Sequence, residues 1–595
     1  MKNIVLILVL TVSTALAHVG NYPSVHDVTA TVLDRMEQEL LHEAIRELTL
    51  ERAAQFLTAE EREALGHAHL CFQANVPVTV SVMRRTNGEL PFWLQEREFQ
   101  RTDLSCRVAN QRFEVWQKDF PAGPVGLGVN SLAGGGEHYF VAVTPKATEE
   151  ELKIKSLYPG QARVDTLKEN AQPYVDRGEK LQSVPPELEG AALIRTARAW
   201  RDYARLLNVF LFTKHPSSAT PDHCILTWSG DPRTTQSIQW RTSTDIKGGI
   251  VEYTEAEQLE SGRTATFRRV RASMDRIETP KLINDRVIHW HTAKLRRLKP
   301  ATSYRYRLGD TSGENWTDWV EFTTAPDQAE PFSFIYMGDA QNGLETWGKL
   351  VHHAFDSQPE AAFYVMAGDL VNRGADRDDW DDFFSNAAGI YDRRQLVPAI
   401  GNHECSGGKR PELYLDFFDL PNNAPPTIER ERAYSFEYSN ALFVILDSNL
   451  DPLDQTYWLE RRLARTKAKW KFVVYHHPAY SSAPNRDNRT LRQTWGPLFD
   501  KYHVDMALQG HDHAYLRTYP LKANQRVASP QEGTVYIVSV SGTKYYQQKD
   551  RDYTEFGMTN VSTYQVLDIS ISENQLVYRA YDFEGKLRDE LIIEK

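Results

Sequence analysis

The chain has 595 residues, 41% of them hydrophobic and 25% charged, with a formal net charge of −11. That length implies three or four domains, and the composition excludes pervasive disorder. The acidic balance argues against a nucleic-acid or anionic-membrane binder, which would carry a basic patch.

Residues 1–17 read as a signal peptide. Lys2 opens a short positive start, Ile4 to Leu10 is an unbroken apolar run, and Ala15-Leu16-Ala17 fits a small-residue cleavage site. The apolar core is too short to span a bilayer, and no other stretch is long enough. A secreted or periplasmic, soluble protein is therefore expected, with no membrane span and no nucleic-acid partner.

Residues 18–68 carry a helical pattern, with Leu33, Met36, Leu40, Ile45 and Leu48 at three- and four-residue steps. Thr58-x-x-Glu61 has the form of a capping box. Residues 69–147 alternate like strands and predict a small β module. Cys71 and Cys106 lie in that region and are candidates for a disulfide, whereas Cys224 and Cys405 read as buried thiols. Residues 148–217 return to a helical reading, with Leu193 to Phe212 its strongest stretch, and end in a linker near Pro216.

Residues 218–326 show short strands at regular spacing, the pattern of an all-β sandwich. Leu298-Lys-Pro-Ala-Thr-Ser-Tyr-Arg-Tyr-Arg-Leu308 resembles the fibronectin type III pattern. His289 and His291 have the His-x-His spacing, but no acidic cluster converges on them, so they read as strand residues of the sandwich.

From residue 330 to 595 strands alternate with helices, the sign of a layered α/β domain. Five strand ends carry polar clusters: Gly338-Asp339-Ala340-Gln341, Gly368-Asp369-Leu370-Val371-Asn372, Gly401-Asn402-His403-Glu404, His476-His477-Pro478 and Gly510-His511-Asp512-His513. Open α/β sheets place ligands at such ends. Paired cations about 3.5–4 Å apart repel, so a carboxylate must lie between them. Imidazole, carboxylate and amide oxygen suit Zn, Fe and Mn, and cysteine is absent from the five clusters.

This series resembles the calcineurin-like metallophosphoesterase superfamily, and more closely the purple acid phosphatases. The closer link rests on the preceding fibronectin-like module, on His476-His-Pro-Ala-Tyr480, on His511-Asp-His-Ala-Tyr-Leu-Arg517 and on Tyr578-Arg-Ala-Tyr-Asp-Phe-Glu-Gly-Lys586. The resemblance covers about residues 218–595. It implies a multidomain α+β chain whose catalytic domain is a four-layer α/β/β/α sandwich behind an all-β sandwich. It implies two metal ions, from among Fe, Zn and Mn. Asp369 would bridge them, with Asp339 and His513 on the first and Asn402, His476 and His511 on the second. His403 would serve catalysis, and metal-activated water would attack phosphorus. The implied activity is an acid phosphatase-like phosphomonoesterase acting on a small phosphorylated substrate. The alternatives are a phosphodiesterase or nucleotidase on the same site, or a surface-binding protein with a vestigial phosphoesterase domain. Asn372 stands where purple acid phosphatases have the tyrosine that holds Fe(III). Gln341 stands where other superfamily members have histidine. Both are candidate neutral ligands of the first metal. Arg486 and Arg489 are candidate substrate-binding residues.

Overall fold

The computed structural model describes residues 22–595 apart from 261–264, 314, 407, 484–485, 550 and 573. The expected signal peptide, residues 1–17, lies outside the described residues. The chain divides into two compact units, Met1–Phe210 and Leu211–Lys595. No helix among the described residues is long and apolar enough to cross a membrane.

In the first unit, helix Val25–Glu39 starts at Ser24, whose side chain accepts from the Asp27 N–H. Helix Ala59–His67 begins with the reciprocal Thr58/Glu61 capping box, and Glu61 also pairs with Arg35. Two antiparallel sheets follow. The larger has seven strands, ordered Arg163–Thr166, Ala192–Arg195, Phe140–Pro145, Val78–Arg85, Gln111–Phe120, Gln100–Val108 and Leu181–Ser183. The smaller joins Gly123–Leu127, Leu70–Ala74 and Ile154–Tyr158.

Two expectations are corrected here. Residues 148–217 are strands, turns and short 3-10 helices instead of a helical region. Pro159, Pro173, Pro185 and Pro186 break up residues 148–186, and in the proline-free stretch after them Leu193-Ile194 are the buried centre of strand Ala192–Arg195. Cys71 and Cys106 form no disulfide; they lie in strands of different sheets, each as a buried thiol.

The second unit opens with two four-stranded antiparallel sheets. One is ordered Asp222–Thr227, Thr235–Ser243, Val287–Arg296, Ser273–Glu278, and the other Arg268–Arg271, Gly249–Glu255, Ser303–Asp310, Val320–Thr323. Leu226, Ile238, Trp240, Val251, Tyr253 and Leu308 form the core between them. His289 and His291 belong to this body: His289 Nδ1 donates to the Ile246 carbonyl, and His291 stacks on Trp240.

Two further sheets build the rest of this unit. The six-stranded sheet runs Gln395–Pro398, Ala361–Met366, Phe332–Met337, Thr563–Ser570, Gln575–Asp582, Leu587–Glu594. The seven-stranded sheet runs Tyr434–Tyr438, Ala441–Ile445, Trp470–Val474, Met506–Gln509, Val535–Val538, Tyr515–Thr518, Thr554–Met558. Phe334 and Phe363 of the first meet Phe443 and Phe472 of the second at centroid distances of 5.1–5.2 Å, edge to face. Helices Leu344–Ser357 and Arg377–Asn386 bury Trp347, Leu350, Trp380 and Phe383 against the first sheet. Helices Leu453–Arg465 and Gly496–Tyr502 bury Leu459, Leu463 and Phe499 against the second. The result is the expected four-layer α/β/β/α arrangement. Its parallel strands Phe332–Met337, Ala361–Met366, Trp470–Val474 and Met506–Gln509 each end just before a polar cluster.

Candidate metal centre

Each strand end turns sharply into its cluster. Asp339, Asp369, His511 and His513 adopt φ of 53°, 52°, 73° and 42°, the left-handed region that non-glycine residues rarely occupy. Such strain costs on the order of 1–3 kcal/mol per residue and gathers at functional sites. Glycines beside them permit close approach. A Cβ at Gly401 would run into the Asp369 carboxylate, and one at Gly510 into that of Asp339.

Two ligand groups result, and they share Asp369. Asp369, His476 and His511 form one, and Asp339, Asp369 and His513 the other, with ligand atoms in each group within 4.8 Å of one another. His476 Nε2 lies 3.2 Å from Asp369 Oδ2, 3.1 Å from Asn402 Oδ1 and 3.1 Å from His511 Nδ1. His513 Nε2 lies 3.6 Å from Asp339 Oδ1. Backbone carbonyls hold two of the rings. His476 Nδ1 donates to the Ala367 carbonyl at 2.9 Å and His513 Nδ1 to that of Lys544 at 3.1 Å. Both Nε2 atoms therefore face the site.

The donor set fits cations. Asp339 Oδ1 and Gln341 Oε1 are buried with no hydrogen-bond partner, and unsatisfied oxygens of that kind are costly without a positive partner. Gln341 Nε2 also donates to Asp369 Oδ2 at 2.6 Å. Burial pushes the Asp339 carboxyl well above the usual range. Burial also disfavours an ionised Asp369, but the charge of His476 outweighs it and holds that carboxyl low. Burial opposes charging His476, yet Asp369 raises it to about 9. His513 is pushed down to about 4 by burial and the nearby Lys544. Burial and His476 likewise lower His511. Shifts in opposite directions within one cluster mark functional sites.

Glu404 holds two of the clusters together. Its Oε2 accepts the N–H of Asp369 (2.9 Å) and Gly401 (2.7 Å), and its Oε1 those of Leu370 (2.9 Å) and Val371 (3.3 Å). His403 lies at the rim, with its side chain 27% exposed and its Nε2 4.0 Å from Asp369 Oδ2. Its Nδ1 donates to the Asn372 carbonyl at 2.6 Å, which leaves Nε2 free. His477 packs on His511 at 4.4 Å and shares a hydrogen bond with Ser448 Oγ.

Two expected residues are not brought into the cluster. The Asn372 side chain is exposed; its backbone, held through the Glu404 loop, offers its carbonyl to His403 instead. Asn372 is therefore corrected as a first-site ligand. Arg489 is 83% exposed and pairs with Asp487, with no contact to the cluster among the described residues. Arg486 does reach the mouth: its Nε donates to Asp512 and its Nη2 to the His511 carbonyl. Sequence reasoning missed Asp512, Lys544 and Tyr546. Asp512 is fully buried and accepts from Ser481, Ser482 and Ala483 as well as Arg486. Its position between the two histidines was the available signal. Tyr546 stacks beside His513 at 4.8 Å, and its N–H donates to the His513 carbonyl.

Comparison with known proteins agrees with this geometry. Residues 221–324 match the family model for the purple acid phosphatase N-terminal domain, and residues 332–515 that for the calcineurin-like phosphoesterases. An uncharacterized protein of Mycobacterium tuberculosis is 30% identical over 40% of this chain and 51% of its own length. Purple acid phosphatase 1 of Ipomoea batatas is 26% identical over 47% of this chain and 61% of its own length. Phosphoenolpyruvate phosphatase of Allium cepa is 25% identical over 45% and 61%. The chain thus spans about half the length of the first and under two thirds of the others. The purple acid phosphatase PPD1 of yellow lupin seeds shares the fold, with a TM-score of 0.55, 15% identity, and coverage of 87% of this chain and 90% of that one. Over residues 221–324 and 332–515 the chain is thus similar to the purple acid phosphatases and the calcineurin-like phosphoesterases, on a fold it shares with PPD1.

Proposed function

We propose that this protein is an exported, metal-dependent phosphoester hydrolase that acts as a phosphomonoesterase at a dinuclear site. The observation that carries the reading is the pair of ligand groups that meet at buried Asp369. In this reading Asp369 is shared, Asp339 and His513 hold the first ion, and Asn402, His476 and His511 hold the second. Gln341 adds its amide oxygen to the first. The donor set suits Zn, Fe or Mn. The bound cations supply Lewis-acid charge and lower the pKa of a water.

The chain's own groups do the rest. Asp369 and Asp339 balance positive charge at the centre, and the buried walls exclude bulk water. The Asn372 carbonyl holds the His403 ring so that Nε2 faces the substrate. A proton carried on that nitrogen passes to the leaving alkoxide. Export rests on residues 1–17.

The test is elemental analysis of the purified protein, followed by chelation and metal return, with steady-state kinetics on paired phosphomonoester and phosphodiester substrates. Activity should vanish on chelation, return with a divalent ion and favour the monoester. An Asp369→Ala variant with full activity would sink the reading.

A further inference from the structure

Beside the ligand clusters lies a second cationic feature that the hydrolytic reading leaves unused. The loop after strand Val535–Val538 crosses the first ligand group, tied down where Ser541 and Gly542 donate to the carbonyls of Gly338 and Asp339 at 2.8 Å. It carries Lys544 and Tyr546. The Tyr546 ring lies beside His513, one ring beyond the ligand atoms. Two cations flank that ring: the Arg486 guanidinium 5.1 Å from its centroid and the Lys544 ammonium 5.4 Å from it. A cation within about 6 Å of an aromatic face is attracted to it, so the ring steadies both groups.

Arg486 is fixed by more than the ring. Buried Asp512 takes its Nε–H at 2.9 Å, and the His511 carbonyl takes one Nη2–H at 3.1 Å. A guanidinium has five N–H donors in a rigid fork, so an edge remains for an oxyanion. The side chain is 30% exposed, while Asp512 is not exposed at all. Lys544 is exposed, and among the described residues it forms no ion pair. Positive charge held at a rim in a chain of net charge −11 needs an anionic partner to be useful.

We propose that Arg486 and Lys544, arranged around Tyr546, form a subsite for a second anionic group on the substrate, next to the phosphoryl group bound at the ligand clusters. The inference rests on the hydrolytic reading and narrows the substrates these two side chains favour to phosphoryl compounds whose leaving group carries an anionic group of its own, with pyrophosphate the simplest. The bridging P–O bond breaks, the oxygen of water forms the new P–O bond, and the departing phosphate takes up the proton. Arg486 and Lys544 bind the departing phosphate, and His403 delivers its proton.

The experiment compares kcat/KM of the metal-loaded full chain for inorganic pyrophosphate, for a phosphorylated carboxylate and for p-nitrophenyl phosphate, whose leaving group lacks a second anion. Lys544→Ala and Arg486→Gln are measured alongside. Each should lower the ratio of pyrophosphate to p-nitrophenyl phosphate efficiency on the order of tenfold, through KM, the scale of one charge-assisted hydrogen bond. Calorimetry supplies a reading independent of turnover: pyrophosphate should bind wild type more tightly than methyl phosphate, and Lys544→Ala should erase the difference. The carboxylate arm tells whether the subsite takes any oxyanion or phosphate alone. Equal losses on all substrates would mean a structural role and overturn the proposal, as would an unchanged ratio in Lys544→Ala, a surface change that folding tolerates. A wild type inactive on every substrate but still binding pyrophosphate preferentially would sink the hydrolytic reading and leave the subsite standing.

Discussion

Glu404→Gln is the sharpest test of how the ligand loops are held. The native carboxylate accepts four backbone N–H groups, two on each oxygen, from Asp369, Leu370, Val371 and Gly401. An amide of the same shape keeps one acceptor oxygen and turns its NH2 toward the other pair. Two buried donors are then orphaned, at about 1–3 kcal/mol each, so the loops should lose about 2–6 kcal/mol. Even the lower figure corresponds to about thirtyfold in the local opening equilibrium, at about 1.4 kcal/mol per decade. Hydrogen exchange read by mass spectrometry on peptides covering 366–373 and 399–405 should accelerate at least tenfold, while peptides of the first unit stay unchanged. Cation affinity should fall on the order of 10- to 100-fold, the usual effect of losing an outer-shell partner. Exchange unchanged in those two peptides would refute the reasoning, because the four bonds would then carry no load.

The remaining predictions address the centre and the two units separately. Elemental analysis should find two ions per wild-type chain, about one in His511→Ala or His513→Ala, and less than one in Asp369→Ala; two in Asp369→Ala would contradict a shared carboxylate. In the first unit, His69 and His138 are fully buried with their Nε2 atoms 2.8 Å apart. Burial lowers both, His138 to about 4. The unfolded chain therefore binds more protons below its ordinary pKa, and stability falls as pH drops from about 6.5 to about 4, by about 3 kcal/mol for His138. The stability difference between wild type and His138→Gln, followed by urea unfolding, should shrink by that amount across the window; a constant difference would refute it. In the second unit, Arg241 pairs with Asp222 and Asp381 from a site 1% exposed. Arg241→Ala should cost about 3–5 kcal/mol by taking from buried Asp381 its nearest cation, and Arg241→Met with Asp381→Leu should recover most of it in the same unfolding assay.

Much of the centre was legible because its chemistry is local. Asp339, Asp369, Asn402, His476, His511 and His513 each follow an apolar strand, so periodicity alone predicted that they share one edge of the layered sheets. Gln341 became a candidate only through the resemblance, and its buried Oε1 has no hydrogen-bond partner. Asn372 was misread because its neighbour in sequence, Asp369, is turned into the left-handed region and bound by Glu404, which sends residue 372 outward. The helical reading of residues 148–217 failed up to residue 186 because of its prolines, and over 192–195 because pairing with two distant strands decided between the periods that the apolar spacing suited.

Residue types and their strand-end positions were enough to determine the layered class and to mark five polar strand ends, since both follow from period and turn glycines, while the assignment of ligands among them came from the resemblance. Tertiary structure alone decided which oxygen meets which imidazole, that Cys71 and Cys106 lie in separate sheets, and that Arg486 and Lys544 meet around Tyr546. Those outcomes depend on contacts between segments far apart in the chain, and a linear pattern carries no record of distance across a fold.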